Sequence, residues 1–381
     1  PMNVSAPAPL LSPAIEPSVS VVRDADGLSA LRTDWEALER RAVHGGPFVR
    51  WRHVQLAARH LLGAGDELHV LTVRADDERL IGVLPLLRTS ERHYGMTLKV
   101  LRQIGILEGD RPGVLALDDA DAVWAALWRH LQATRADWQV LDLRELDPGS
   151  WPLRELAEPG PGFQAELGDD VISTFQPLTG TWPAHLSRRP EALREQRLQA
   201  RQQLAAAMPG LCVAVADTPQ DILAAFDRYL ALEAGLREQG GGVTIGGDER
   251  RVAFYREWLP RLAADGDAAV WLLGSVEQGE VAGLLRLRSG HIWIERHACF
   301  DPARAAHTPS LLLLLEALQH GFATTATESR LVNLREPAGA AASAMSWYDD
   351  CLQTRRLSVW NLHSKLAPVA FLKGLGRRLR G

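Results

Sequence analysis

Residues 281–322 read VAGLLRLRSGHIWIERHACFDPARAAHTPSLLLLLEALQHGF, and this stretch decides the fold. Val281–Arg288 has the character of a strand, and His291–Cys299 (HIWIERHAC) reads as a second one. Phe300–His307 follows as a loop. The next helix opens at Thr308–Pro309–Ser310, with Thr308 as the expected N-cap and Pro309 as a favoured first helical residue. Strand, loop and helix N-terminus in this order are either an ordinary connection capped by Thr308 and Pro309 or an anion site, because the first turn of a helix offers unpaired N–H groups and a positive dipole end.

Working outward, the earlier half of the chain repeats the pattern. LIGVLPLLR (80–88) resembles VAGLLRLR (281–288), with Gly82 matched to Gly283, and VLDLRE (140–145) resembles LVNLRE (331–336), with Asp142 replaced by Asn333. An amphipathic helix stands between the paired strands in each half, over 121–134 and 309–322. Phe48 and Trp51 in the first half have a weaker echo in Phe254 and Trp258. Two ordered matches with a helix placed alike between them indicate two copies of one αβ unit, each with a mixed sheet containing parallel neighbours.

The remaining segments fit around this core. Five prolines in residues 1–20 predict an extended, mobile leader, with order starting near Val21. Helices are expected over Ser29–Ala42 and Trp51–Leu62. Strands are expected at Leu68–Arg74, Leu80–Arg88, Leu98–Gly105, Val114–Leu117 and Gln139–Arg144. The Pro/Gly cluster of 148–162 marks the linker neighbourhood. A long helix should span Pro190–Met208, carrying or following Arg188, Arg189, Arg194, Arg197 and Arg201. The expected organisation is a leader (1–20), a first unit (21–165), a second unit (175–360) and a basic amphipathic tail (361–381).

The chain has 381 residues, 46% of them apolar and 23% charged, and a net charge of −5. This is the composition of a globular protein with room for two units, and it argues against a general nucleic-acid binder. Only three basic residues are lysines (Lys99, Lys365, Lys373), a bias expected of a GC-rich bacterial genome. Cys212, Cys299 and Cys351 have neither disulfide nor zinc spacing, so no metal is expected and a reducing cytoplasm is the expected location. The longest leucine run is soon broken by Glu316, short of a membrane span, and no secretory signal is evident.

The ordered set DELHVLTV, LIGVLPLLR, LRQIG, GDRPGVLAL, DWQVLDLREL and then residues 281–322 resembles the tandem GNAT-superfamily N-acetyltransferases of the bacterial CelD or cellulose-biosynthesis type, cousins of the Fem peptidoglycan transferases. The resemblance covers about residues 25–360. It implies an α/β (α+β) fold of two GNAT-like subdomains, each a mixed sheet flanked by helices, with the acyl-donor site in the C-terminal one. The co-substrate implied is acyl-CoA or an acyl carrier protein. Arg304, His307, Thr308 and Ser310 are the matching pyrophosphate-binding positions. The family's loop has glycines after its basic residue, whereas this chain has Ala305, Ala306 and His307.

N-acyl transfer needs a base for the amine, donors for the oxyanion and an acid for the leaving thiolate. Regular alternation would put Trp293, Glu295 and His297 on one face of their strand, so that Glu295 could orient His297 as base. Otherwise Glu295 pairs with an arginine and His297 is a satisfied core histidine. Tyr348, in AASAMSWYDDC (341–351), resembles the family's leaving-group acid on a helix after the fifth strand. A Trp347–Tyr348 packing pair is the structural alternative. The family's acidic "D–hydrophobic–Arg–Gly" segment is replaced by Asn333–Glu336, which points to a different acceptor.

Other features are open in both directions. The arginines of 190–208 could meet an anionic acceptor or line a solvated face. Gly240–Gly242 with Gly246 and Gly247 could form a substrate lid. Asp118, Asp119 and Asp121 suit a helix N-terminus. The tail, with Lys365, Lys373, Arg377, Arg378 and Arg380 beside an apolar side, could lie on an anionic inner-membrane surface, or dock on its own domain. The expected function is transfer of an acyl group to an amine of a sugar, lipid or long-chain amino base. A Fem-like aminoacyl-tRNA-dependent ligase and a non-catalytic scaffold of polysaccharide synthesis are the alternatives.

Overall fold

Among the described residues, aliphatic runs with strand character give thirteen strands, and 3.6-residue periodicity gives the helices that cover them. The computed structural model describes residues 17–43, 45–93, 95–105, 108–238, 244–334, 344–369 and 371–372, without the side chains of 169–170 and 332–334. The first unit contains β1 (Ser18–Val22), α1 (Ala25–Ala30), α2 (Arg32–Glu39), α3 (Trp51–His60), β2 (Glu67–Arg74), β3 (Leu80–His93), β4 (Met96–Gln103), β5 (Leu115–Ala116), α4 (Ala120–Ala133), β6 (Val140–Leu146), α5 (Trp151–Glu155) and β7 (Phe163–Pro177). After α6 (Trp182–Ser187) and α7 (Glu191–Ala207) come β8 (Cys212–Ala216), α8 (Ile222–Glu238), α9 (Glu249–Ala264), β9 (Ala268–Ser275), β10 (Gly279–Ser289), β11 (Ile292–Phe300), α10 (Pro309–Phe322), β12 (Glu328–Leu334) and β13 (Asp350–Asn361).

The two units share one strand order. β1 to β4 form an antiparallel meander, and α4 then carries the chain across to β6, parallel to β4. β8 to β11 repeat that meander, and α10 leads to β12, parallel to β11. Among the described residues the strands form one sheet in the order β1-β2-β3-β4-β6-β13-β7-β12-β11-β10-β9-β8, with β5 off the path against β3. The order is symmetric about its centre because the units exchange their last strands. β7 of the first unit pairs with β12 of the second, and β13 returns to pair with β6. The gap expected at 165–175 therefore falls inside β7. The breaker-rich linker region itself contains α5.

One face of the sheet carries a core common to both units, in which α1, α2 and α3 meet α8 and α9. The faint aromatic echo has a physical meaning here. Phe48 packs edge-on to Trp258 (centroids 6.0 Å apart), and His53 of α3 touches both Phe254 and Trp258 of α9. On the opposite face α4 and α10 cover separate cores.

Several expectations shift by small amounts. The helix expected over 29–42 is two helices, α1 and α2, joined at Leu31. The first described strand, β1, starts at Ser18, ahead of the expected Val21, while residues 1–16 of the leader lie outside the described residues. The matched glycines do not occupy equivalent places. A Cβ on Gly82 would meet Val123 of α4 at 2.4 Å, whereas one on Gly283 would meet Tyr229 of α8 at 2.7 Å, on the other face. Both are sites of close helix–strand approach. Gly82→Ala is expected to destabilise by about 1–3 kcal/mol through overpacking, read from urea unfolding with an unchanged m-value.

Candidate functional site

A β-bulge in β11 builds the site. Leu285 of β10 pairs with His297, but the next residue, Arg286, pairs with Glu295, so Arg296 is an extra residue in the ladder. A bulge of this kind reverses the side-chain phase of the strand beyond it. Ile294 and Cys299 therefore lie in the core beside α8 and α9, while Trp293 and Phe300 pack on the α10 side. The expected arrangement, Glu295 and His297 together on one face, is not formed. The alternation rule fails here because it assumes no inserted residue.

Each of the two residues has its own surroundings. Glu295 is fully buried and receives two hydrogen bonds from Arg286, at 2.8 and 2.9 Å, and one from Ser329 Oγ at 3.0 Å. Arg286 lies between the rings of Trp271 and Trp293, 5.0 and 4.6 Å from their centroids. This is a desolvated ion pair with well-formed geometry.

His297 meets a network that joins the two units. Its Nε2 is 3.1 Å from Tyr255 Oη of α9 and 3.6 Å from Oε2 of Glu108, which lies between β4 and β5 of the first unit. Tyr255 Oη donates to Glu108 Oε2 at 2.8 Å, and Arg251 of α9 donates through Nε to Glu108 Oε1. Arg251 also donates to the Thr244 carbonyl at 2.7 Å. Burial pushes the Glu108 carboxyl up, but the hydrogen bonds and charges of His297 and Arg251 outweigh it and hold it at about 2. Burial lowers His297 below the ordinary imidazole value of 6.5, against the upward pull of Glu108. At neutral pH the set is a carboxylate, a phenol and a neutral imidazole, the protonation state a base requires. The segment holding Glu108 turns at Gly105, with φ +65°, where a Cβ would come within 2.9 Å of His53 Nε2.

Glu108, Arg251 and Tyr255 were not singled out from the sequence. Tyr255 sits between two core aromatics in FYREW, and Glu108 is one acid in an irregular segment. The periodicity of α9 marks Tyr255 only as core, and Glu108 has no periodic signal.

The start of α10 has a second set. Residues 302–307 form a 3-10 helix rather than an open loop, with Asp301 Oδ1 accepting from Ala303 N at 2.9 Å. Thr308 holds the N-cap position but makes no side-chain cap. It adopts φ 46°, ψ 49°, the left-handed region where glycine is favoured. Pro309 is the first helical residue as expected. Arg304 donates to the Gln278 side chain at 3.0 Å, and His307 Nδ1 is buried with no hydrogen-bond partner. Ser310 is half-buried in the first turn. No acid stands in this turn. The equivalent start of α4 differs, because Asp119 caps Ala122 N at 2.9 Å and Asp121 follows in the first turn.

Tyr348 is buried beside Trp347 in the core under α10, with no hydrogen-bond partner for its hydroxyl. Burial and then the Glu295 charge push its pKa above the usual phenol range. It sits just before β13 rather than on a helix; among the described residues only 344–345 are helical there, and 341–343 lie outside them. Of the basic-helix arginines, Arg188, Arg189, Arg197 and Arg201 are engaged. Arg201 pairs with Glu316 of α10 at 2.7 Å, with Arg197 at 3.8 Å from the same carboxylate, while Arg188 and Arg189 pair with Asp349. Gly240–Gly242 lie outside the described residues. Gly246 and Gly247 belong to a 3-10 turn that Glu233 holds through Ile245 N and Gly246 N, at 3.0 and 2.7 Å.

An open pocket of about 270 Å³, lined by Leu61, Leu87, Arg102, Arg144 and Asp248 among others, reaches Glu108 and Arg251. A larger cavity of about 450 Å³ contains Trp124, Trp151, Arg111 and Arg154. Neither His297 nor Tyr255 lines either space, and only the smaller one touches their partner Glu108. No cluster of metal-ligating residues occurs among the described residues, and no helix among them is long and apolar enough to cross a membrane. In the tail, Ser364 Oγ accepts from Ala367 N at 3.1 Å at the start of a helix with Pro368 in its first turn. Ala367 and Phe371 pack towards Trp360, and Leu366, Val369 and Leu372 are exposed. Residues 373–381, with Lys373 and the three tail arginines, lie outside the described residues, as do Arg335 and Glu336 and the side chain of Asn333.

Residues 192–333 match the sequence model of a family described as acetyltransferase (GNAT) domain. No curated protein matches the chain in sequence. Among solved structures, FemX superposes with a TM-score of 0.57 at 12% identity, covering 86% of this chain and 95% of its own. A conserved protein of unknown function from Bacteroides thetaiotaomicron VPI-5482 gives 0.56 at 11% identity, covering 90% and 100%. A tandem GNAT protein from the clavulanic acid biosynthesis pathway gives 0.46 at 16% identity, covering 90% and 98%. At these identities the first two likenesses show a shared fold.

Proposed function

We propose that this protein is an acyl-CoA-dependent N-acyltransferase, because residues 192–333 match the model of an acetyltransferase (GNAT) domain and lie within a duplicated αβ fold. His297 is the base in this reading. The single observation that carries it is the bulge at Arg296, which turns a neutral, hydrogen-bonded imidazole away from the Glu295 ion pair and into the network between the units.

The donor is assigned to the C-terminal unit on electrostatic grounds. A pyrophosphate is favoured at a helix N-terminus and repelled by acids there. The start of α10 is free of acids, is preceded by Arg304 and His307, and has the buried, unpartnered His307 Nδ1. These residues fit the group, with Thr308 and Ser310 adding hydroxyls. The start of α4 already has carboxylates in that place. An acyl carrier protein would present a phosphopantetheine arm in place of CoA. Arg304→Ala is expected to weaken CoA binding in calorimetry by about tenfold, as loss of one charge-assisted hydrogen bond would. Equal affinities would move the donor elsewhere.

The reaction follows from these assignments. His297 removes a proton from the acceptor's ammonium, and the amine attacks the thioester carbonyl. The new N–C bond forms, the C–S bond breaks, and its electron pair leaves on sulfur. The leaving thiolate takes a proton from Tyr348, the candidate donor on that side, and the second amine proton, released to solvent, replaces the one the phenol gives up. Glu295 is assigned to holding Arg286 rather than to proton transfer. The pocket reaching Glu108 gives the acceptor its approach, and its class is an amine of a sugar, lipid or long-chain amino base. The apolar residues exposed on the tail helix support a contact with a membrane surface, where lipid amines would be met.

The test is thiol release from acetyl-CoA and long-chain acyl-CoA across a panel of amino sugars, amino lipids and long-chain amino bases. Release with one class supports the reading. No release with any amine, together with no CoA binding, would favour the scaffold alternative, and acceptance of aminoacyl-tRNA alone would favour a Fem-like ligase.

A further inference from the structure

We propose that Glu108, a residue of the N-terminal unit, selects which nitrogen of His297 is basic, both directly and through Tyr255, and that this nitrogen is Nδ1. The inference rests on His297 being the base, but its first test is made on the free protein without any substrate.

The argument counts protons. Tyr255 Oη has one hydrogen and two close neighbours, Glu108 Oε2 at 2.8 Å and His297 Nε2 at 3.1 Å. An ionised carboxylate can only accept, so the tyrosine proton must lie on the Glu108 side. The alternative would bring two oxygens to 2.8 Å with no proton between them. The phenol oxygen is then left as an acceptor towards His297. Nε2 must carry a hydrogen to satisfy that contact, and Glu108 Oε2 at 3.6 Å reinforces the same choice. A neutral imidazole protonated at Nε2 has its lone pair on Nδ1. Arg251 fixes the other carboxylate oxygen, so the carboxylate has a defined orientation. Glu108 is thus a positioning residue, and the second unit's active site is incomplete without the first unit.

Glu108→Gln makes a sharp prediction. Arg251 needs an acceptor, so the amide oxygen turns to it and the amide N–H₂ faces Tyr255. The phenol oxygen then accepts from the amide, its own hydrogen turns to His297 Nε2, and the imidazole proton moves to Nδ1. Long-range ¹H–¹⁵N correlation spectra, with His297 assigned by its loss in His297→Ala, read the tautomer directly. The expected result is Nε2–H in the wild type, Nδ1–H in Glu108→Gln, and Nε2–H retained in Tyr255→Phe through Glu108 itself. Turnover of Glu108→Gln should fall about 10²–10⁴-fold, as when a base is held in the wrong tautomer. An Nδ1–H imidazole in the wild type overturns the proposal, which keeps the test decisive even if Glu108→Gln fails to fold. So does an unchanged tautomer in a folded Glu108→Gln. A switched tautomer with full turnover supports the proposal and refutes His297 as base.

Discussion

Replacing His297 with alanine is expected to lower thiol-release turnover by about 10²–10⁴-fold, the usual cost of losing one general base. CoA affinity should stay near that of the wild type, because the donor is assigned to the start of α10 and not to this side chain. Folding should also be little affected, since the phenol and carboxylate left behind still bond each other at 2.8 Å. The wild-type pH profile carries the same information. With His297 as the proposed base, the neutral imidazole is the active form, so kcat/KM is expected to rise as pH passes up through its pKa. Burial, with the Arg296 and Arg251 charges, sets that pKa below 6.5 against the pull of Glu108. The acid limb should therefore lie below pH 6.5, and in His297→Ala it should vanish from the residual rate.

The second large effect is on stability. Glu295→Ala is expected to cost about 3–5 kcal/mol, because it leaves the Arg286 guanidinium buried without its counter-charge. For a chain of this size that lowers Tm by roughly 5 °C, measurable by calorimetry. Joint replacement of Glu295 and Arg286 by apolar residues of similar volume should recover much of the loss, since no uncompensated charge then remains. If Glu295→Ala melts with the wild type, the ion pair does not hold the sheet as described. The Glu108 network has a separate acid dependence. Its carboxyl is depressed from 4.5 to about 2, so its contribution is present above pH 4.5 and is lost as pH falls towards 2.

The duplicated fold was legible because its evidence is local. LIGVLPLLR and VAGLLRLR are β3 and β10, and the helices between the repeated strands are α4 and α10. The exchange of β7 and β13 was not legible, because pairing partners so far apart in the chain, as Glu328 and Pro177 or Trp360 and Val140 are, leave no trace in composition or period. The equation of Gly82 with Gly283 shows the limit of matching by residue type. Both glycines relieve a close helix, but on opposite faces of the sheet.

The site was legible in part. His297, Arg304 and His307 were visible as chemistry-bearing residues at the end of a strand and the start of a helix. The pairing of Glu295 with His297 was wrong because one inserted residue, Arg296, reverses the alternation on which it depended. Glu108 could not be found by spacing, since it comes from the other unit and meets His297 only in three dimensions. The N-cap expectation at Thr308 failed in detail because that residue takes a left-handed conformation instead of offering its hydroxyl to the helix.

The division of labour across the bulge is tested most directly by one comparison: thiol-release turnover of His297→Ala and Glu295→Gln, at a temperature where calorimetry shows both folded. The structure predicts that His297→Ala loses about 10²-fold or more while Glu295→Gln, less stable, keeps turnover close to the wild type. Collapse of turnover in folded Glu295→Gln with near-normal turnover in His297→Ala would contradict it and place the chemistry on the other face of β11.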